Sequence, residues 1–300
     1  MLQEIAEGVF VDLDYEGANV GCILTDAGAI VIDTPMIPAE AKHWAETVFS
    51  LTDKVLYVFN TDHHRTRIMG NQYFDTRIIA HELAWKEVAS YKDTFIERTK
   101  NLFKKRPEIQ RQFDEIEIIR PELCFTGRMV MERGGRELVF VHLGGHTPAT
   151  SGLYLPDEKI LFTGDLLVVD EHPSLGQCNS EIWLKKLRWL RKQKYSMLVP
   201  GHGSICNVDA SEPLSEYIRT MRAKVRNQYK SGRTKAEAAV VISQMLDFFY
   251  YQSPRKSLIE KRIRAGVSRV YDEMKVIYGK HDIPKRAPKG KGKKRASKAA

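Results

Sequence analysis

The chain has 300 residues, of which 43% are hydrophobic and 28% charged, an ordinary balance for a globular protein. No stretch approaches the roughly 18 uninterrupted apolar residues of a membrane span, and residues 1–11 lack the features of a secretory signal. We therefore expect a cytoplasmic protein without a membrane span. The four cysteines are widely scattered, which argues against a disulfide-stapled domain and against paired-cysteine metal sites.

The net charge of +9 is concentrated at the C-terminus. Residues 280–300 hold nine Lys or Arg against one Asp, which leaves residues 1–279 at about +1. This tail is rich in Lys, Gly, Pro and Ala and has no apolar face, so it is predicted to be disordered. It either holds the protein weakly to nucleic acid or an anionic surface, in a salt-sensitive way, or serves as a solvated tail that aids solubility.

The first part of the chain mixes strands with one helix. Residues 8–34 contain short β-rich runs separated by turn signals and predict a β-meander. Residues 38–49 predict a helix, because a proline opens the segment and apolar residues such as Trp44 and Val48 recur at helical spacing. A buried strand is predicted at residues 54–61.

The second half repeats this order. Strands are predicted at residues 137–144, 152–156 and 159–169, an amphipathic helix at 181–193, and a last strand and loop at 195–203. Mixed segments of this kind predict an α/β (α+β) fold in which helices pack outside a sheet core.

Two regions have a helical pattern that interrupts or extends this core. We predict a mixed domain at residues 1–212 with a helical insertion at about 82–121, a helical extension at 213–279 packed on that domain, and the basic tail at 280–300.

Five glycine- or proline-containing segments follow strand-like runs and carry polar side chains that can bind metals. They are residues 31–35, 60–71, 144–152, 162–167 and 200–203. Imidazoles and carboxylates at the ends of different strands can converge on one cation, because loops supply reach and the sheet supplies rigidity. The set therefore predicts a metal site.

These segments resemble, in order, the motifs of the metallo-β-lactamase superfamily over residues 8–203. The resemblance implies a four-layer αβ/βα sandwich with its site at one edge of two sheets. The family's first motif is His-x-His-x-Asp-His, preceded by Asn-Thr and followed by Gly-Asn. The flanks 60–61 and 70–71 set the register here, so that the four ligand positions are occupied by Asp62, His64, Thr66 and Arg67. The later ligand positions match the family residues and are His146, Asp165 and His202.

The resemblance implies that the first metal is held by Asp62, His64 and His146, together with Asp165. This donor set suits one divalent ion, with zinc as the leading candidate and iron or manganese as alternatives. A second metal would keep Asp165 and His202 but would lose two ligands, since threonine is a poor donor and arginine cannot bind a cation. We predict one metal.

Arg67 has two possible roles: it binds an anionic group of the substrate, or it neutralises nearby carboxylates. His172 follows Asp165 in a loop that shapes the substrate pocket in the family and is a second candidate for substrate binding. His63 occupies a position between ligands and is expected to point away from the site.

The leading hypothesis for function is metal-assisted hydrolysis of an ester, lactone, thioester, amide or phosphodiester in a small molecule. Asp62 and Asp165 are the candidate catalytic residues, because either could orient the attacking water.

Two other functions stay open. His64, His146 and Asp165 form a two-histidine, one-carboxylate set, as in mononuclear non-haem iron oxygenases. The chain could also be a non-catalytic binding protein with a decayed metal site, because a fold does not imply a function.

Overall fold

The computed structural model of the chain describes residues 1–92 and 94–279, which form two β-sheets flanked by helices. The strands of the first sheet lie in sequence order: β1 (Gln3–Ala6), β2 (Val9–Asp12), β3 (Val20–Thr25), β4 (Gly28–Ile32), β5 (Val55–Asn60), β6 (Arg77–His81) and β7 (Leu123–Phe125). The first four strands pair antiparallel, and β4 to β7 pair parallel.

The second sheet contains five strands among the described residues: β8 (Arg128–Arg133), β9 (Arg136–His142), β10 (Ser151–Leu155), β11 (Ile160–Val168) and β12 (Met197–His202). Strands β8 to β11 pair antiparallel, whereas β11 and β12 are parallel. All nine residues of β11 are buried, as expected for a strand covered on both faces.

The two sheets face each other across an apolar core. Val11, Ile30 and Phe59 of the first sheet pack against Phe140 and Phe162 of the second. Burying such side chains is worth roughly 1.5–3 kcal/mol each, so this layer contributes substantially to the stability of the sandwich.

Helices cover the outer faces of both sheets. In chain order they are α1 (Pro38–Leu51), α2 (Arg65–Ile68), α3 (Glu82–Ala89), α4 (Thr94–Lys100), α5 (Pro107–Gln110), α6 (Ser180–Leu190), α7 (Ser211–Lys230), α8 (Val241–Met245) and α9 (Lys256–Tyr278). Helix α1 packs Trp44 and Val48 on the first sheet, and α6 to α9 cover the second with a cluster that includes Trp183 and Tyr217. The predicted α/β class and four-layer arrangement are confirmed.

The predicted insertion contains three short helices, α3 to α5. Phe103 and Phe113 stack on each other and pack with Met36 and Met69, so this segment is attached to the first sheet near the start of α1. The domain division at residue 212 stays a prediction.

Among the described helices, none is long and apolar enough to cross a membrane. The predicted disorder of residues 280–300 and their predicted contact with nucleic acid or an anionic surface lie outside the described part of the chain.

Candidate metal centre

The candidate metal-binding side chains lie at one edge of the sandwich, where four strands or their loops meet. Strand β5 ends just before Asp62 and His64, the loop between β9 and β10 carries His146, and β11 and β12 carry Asp165 and His202. The backbone N–H of Ser151 in the second sheet donates to the carbonyl of Thr61, at 2.8 Å, and so joins the two sheets at this edge.

The loop that carries the first motif is held by its asparagines. The Asn60 amide donates to the carbonyl of Arg67 at 2.8 Å, and the Asn71 amide donates to the side-chain oxygen of Asn60 at 2.8 Å. Both asparagines are buried. Because they bond to each other and to the loop backbone, they close the loop and present the residues between them to the site.

Asp62, His64 and His146 each offer a donor atom within 4.8 Å of the others. His146 Nε2 lies 3.3 Å from His64 Nδ1, and Asp62 Oδ1 lies 3.8 Å from the same His64 nitrogen. On its other side, His146 Nε2 is 3.4 Å from Asp165 Oδ2. Two donors bound to one tetrahedral zinc ion are roughly 3.4 Å apart, so these four side chains fit a single ion.

Asp62 is fixed by hydrogen bonds to both of its oxygens. Thr147 and Thr150 each donate a hydroxyl to Oδ2 at 2.8 Å, and the backbone N–H of His63 donates to Oδ1 at 2.7 Å. Although burial opposes ionisation, His64 and His63 hold the pKa of the Asp62 carboxyl well below its usual range. Asp62 is therefore a carboxylate, with Oδ1 directed towards the imidazoles.

The two ligand imidazoles differ in exposure. His146 is 3% exposed, burial lowers its pKa to about 4, and its ring meets the edge of Trp183 with 5.2 Å between centroids. The His64 side chain is 28% exposed and its Nε2 lies 2.6 Å from Gln177 Oε1. His146 is thus held in the neutral form that binds metals.

Arg67 is fully buried and lies between two carboxylates. Its guanidinium donates to Asp165 Oδ1 and, at 3.2 Å, to Asp33 Oδ2, and it donates to the carbonyl of Gly201 at 3.2 Å. Burial raises the pKa of Asp165, but Arg67 and His202 outweigh it and hold that pKa below its usual range. Asp165 is therefore ionised, and its Oδ1 is neutralised within the protein.

Gly201 is required for this arrangement. A Cβ at that position would overlap both Asp165 Oδ1 and Arg67 Nη2. The glycine of the last motif thus makes room for the ion pair.

His202 lies beside the same oxygen, with its Nε2 3.4 Å from Asp165 Oδ1. Burial lowers the pKa of His202 to about 4. A second cation held by Asp165 and His202 would meet the guanidinium of Arg67 at this oxygen. The donors here do not fit a second metal, because a fixed positive charge already occupies the position.

Asp33 is a residue that the sequence analysis did not assign to the site, although segment 31–35 was among those singled out. Its Oδ1 accepts from the backbone N–H of Thr61 at 2.8 Å and its Oδ2 from the Thr61 hydroxyl at 2.6 Å, besides Arg67. The position of Asp33 directly after a buried strand indicated that its carboxylate would need a buried partner. The sequence did not identify Arg67 as that partner.

Two other histidines are not placed as the sequence analysis expected, which was His172 at the substrate and His63 pointing away from the site. His172 is buried, and its ring contacts the Tyr217 hydroxyl at 3.3 Å and the carbonyls of Leu246 and Phe249 at 3.2 Å. His63 was expected to point away, which is wrong: its Nδ1 lies 2.8 Å from Asp62 Oδ1. Both side chains are buried, so the Asp62 carboxylate interacts with the His63 ring in place of water.

A cleft of about 610 Å³ opens onto the candidate metal site. It is lined by His63, His64 and His146 and by side chains of α2, α3, α4 and the segment that connects α3 to α4. The lining includes Arg65 but neither Arg67 nor His172. Arg67 and His172, both predicted to bind substrate, therefore have no direct contact with this cleft.

The sequence model of the metallo-beta-lactamase superfamily matches residues 13–202. A curated relative, the metallo-beta-lactamase type 2 of Pseudomonas aeruginosa, is 24% identical over 211 residues, which cover 67% of this chain and 77% of that protein.

Solved structures with the same fold come from several bacteria. A metallo-beta-lactamase from Pontibacter korlensis matches with a TM-score of 0.57 and 19% identity, over 73% of this chain and 98% of that chain. A metallo-beta-lactamase family protein from Thermus thermophilus matches with a TM-score of 0.65 and 17% identity, over 90% of this chain and 95% of that chain. The sec-alkylsulfatase Pisa1 from Pseudomonas sp. matches with a TM-score of 0.66 and 15% identity, over 91% of this chain and 50% of that chain. At these identities the likeness establishes the fold alone.

Proposed function

Because the chain belongs to the metallo-beta-lactamase superfamily, we propose that it is a hydrolase that uses one divalent metal ion, with zinc as the leading candidate. The observation that carries the proposal is the convergence of Asp62, His64 and His146, whose donor atoms lie within 4.8 Å of one another, with His64 and His146 lining a cleft. Asp165 completes the set through Oδ2, and His202 lies on the other side of that carboxylate.

A divalent ion bound here would supply a nucleophilic water near neutral pH and would polarise the oxygen of the bond that is cleaved. The protein side chains do the rest. Thr147 and Thr150 hold the Asp62 carboxylate in place, and Arg67 orients Asp165 so that Oδ2 faces the histidines. Asp165 Oδ2 is the acceptor that would orient the attacking water, because its other oxygen is engaged by Arg67.

The proposed substrates are small molecules with an ester, lactone, thioester, amide or phosphodiester bond. A sulfate ester is added to this set, because the fold matches that of the sec-alkylsulfatase over 91% of the present chain. All of these reactions are nucleophilic displacements at an oxygen-bearing centre, and the same donor set would serve each of them.

The test measures metal content and turnover together. Wild type loaded with zinc should hold about one ion per chain and hydrolyse at least one member of a panel of these substrates, whereas His146→Ala should lose the ion and the activity. His43→Ala is the matched control, since His43 is an exposed histidine on α1 and should leave both unchanged.

Turnover by His146→Ala equal to that of wild type would overturn the proposal. Iron in the purified protein, together with oxygen consumption when a thiol substrate is added, would show that the protein is an oxygenase instead. Wild type that takes up no metal would identify a binding protein.

A further inference from the structure

Arg65 lines the cleft and directly follows His64 in the chain. Its side chain is half-buried, and within residues 1–92 and 94–279 it forms no hydrogen bond and no ion pair. Its contact is with the ring of Phe95, whose centroid lies 5.1 Å from the guanidinium carbon. A half-buried charge without a partner is costly, so a ligand that supplies the opposite charge would be stabilised here.

The guanidinium is held in place by an aromatic stack. Phe95 stacks on Tyr91 with 3.9 Å between centroids and 10° between planes, and the Tyr91 hydroxyl donates to the carbonyl of His63 at 2.9 Å. The stack thus links α4 to the loop that carries His64. Since Phe95 takes one face of the guanidinium, its N–H edges remain for a ligand, and an ordered arginine loses less entropy on binding.

Positive charge dominates this part of the cleft. Among the described lining residues, Arg65, Lys92 and Arg98 stand against the single carboxylate of Glu87. Lys92 and Arg98 are exposed and would attract an anion from solution, whereas Arg65 is half-buried and directly follows His64 in the chain. Arg67, which the sequence analysis offered as a candidate substrate contact, is fully buried in ion pairs and does not line the cleft.

We propose that the cleft selects substrates that carry an oxyanion on an apolar body, with Arg65 as the specificity-determining residue. The guanidinium binds the oxyanion through two parallel N–H···O bonds, and the apolar body lies along Phe95 and Tyr91. The bond to be cleaved then lies in the cleft beside His64 and His146. This last point rests on the proposed hydrolase function, whereas the oxyanion site itself does not.

The test is equilibrium binding of phenyl compounds that are not cleaved, measured by calorimetry on the full chain with and without added zinc. Benzoate, benzenesulfonate and phenylphosphonate carry the oxyanion, and benzyl alcohol is the neutral probe. Wild type should prefer the anions, and Arg65→Gln should reduce that preference by about tenfold or more, because it removes a charge-assisted bidentate contact. Arg65→Lys should keep part of it, since it preserves the charge but not the planar fork.

Arg77→Gln is the matched control, because Arg77 is an exposed arginine that does not line the cleft. Zinc content and thermal unfolding report whether each variant folds. Phe95→Leu is a second variant that keeps Arg65 but removes its aromatic support, and it should also weaken anion binding.

Unchanged anion binding by folded Arg65→Gln, or no preference for anions in wild type, would overturn the inference. Binding restricted to one of the three anions supports it and identifies the group as a carboxylate, sulfonate or phosphonate. Arg65-dependent anion binding in a protein that hydrolyses nothing would overturn the proposed function and leave the anion site standing. Hydrolysis without Arg65-dependent anion binding would overturn the anion site and leave the proposed function standing.

Discussion

Arg67 donates a hydrogen bond to Asp165 Oδ1, and the other oxygen of that carboxylate, Oδ2, lies 3.4 Å from His146 Nε2. One aspartate therefore faces a fixed protein cation on one side and the candidate metal ligands on the other. The charge balance of the site, and with it the number of metal ions we expect, depends on this carboxylate.

The double substitution Thr66→Asp, Arg67→His should raise the metal content from about one ion per chain towards two. It restores a carboxylate and an imidazole beside Asp165 and His202 and removes the competing guanidinium. Elemental analysis of zinc-loaded protein with known chain concentration measures this. Thr66→Asp alone should stay at one, because Arg67 is still present; two ions in wild type would contradict the account.

Arg67→Met should lower the free energy of unfolding by about 3–5 kcal/mol, because it removes the guanidinium that pairs with the buried Asp33 and Asp165 carboxylates. Denaturation in urea measures the change. The control is Arg77→Met, whose side chain is 67% exposed and should cost less than about 0.5 kcal/mol. Similar losses in the two variants would show that the buried pair contributes nothing specific.

Gly201→Ala should displace the ion pair, since a methyl group would occupy the place of Asp165 Oδ1 and Arg67 Nη2. We expect a loss of about 1–3 kcal/mol in the free energy of unfolding and weaker metal binding. Gly127→Ala is the matched change, because a Cβ at Gly127 meets nothing within 4 Å. If both alanine variants keep wild-type stability and metal content, the close approach at Gly201 is not required.

Thr150→Val should weaken zinc binding by about 10- to 100-fold without removing a ligand, because it deletes one of the two hydroxyls that orient Asp62. Competition with a zinc chelator of known affinity measures the dissociation constant. An unchanged constant would indicate that Asp62 does not bind the ion. The double variant Thr147→Val, Thr150→Val should lose more than the single one.

His172→Gln should reduce the loss of stability at acid pH. Burial lowers the pKa of His172 below its ordinary value of 6.5, and Arg262 nearby acts in the same direction while Glu171 acts against it. As the pH falls through about 6.5, the unfolded chain takes a proton that the folded protein resists, so the free energy of unfolding falls. The glutamine variant lacks this contribution, whereas the other histidines are common to both proteins. Urea denaturation at about pH 8 and about pH 5.5 compares them. Parallel losses in the two proteins would contradict a buried neutral His172.

The sequence determined the fold and the positions of the candidate donors. Runs of apolar residues between turn signals specified strands, the spacing of apolar residues specified α1, and the predicted superfamily is confirmed by the match over residues 13–202. The motif with Asp62, His64, Thr66 and Arg67 was also readable, because it lies within one loop whose ends are marked by Asn60 and Asn71. The metal itself and its number remain predictions.

The tertiary structure decided which charges meet. Arg67 is 34 positions from Asp33 and 98 from Asp165, and their contact depends on how the two sheets pack, which no local pattern encodes. For the same reason the sequence left Arg67 open between a substrate contact and a partner of nearby carboxylates, whereas the turn after His64 buries that side chain and leaves Arg65 in the cleft. Helical geometry places side chains two positions apart on different faces of α2, so one arginine pairs inside the protein and the other meets the solvent.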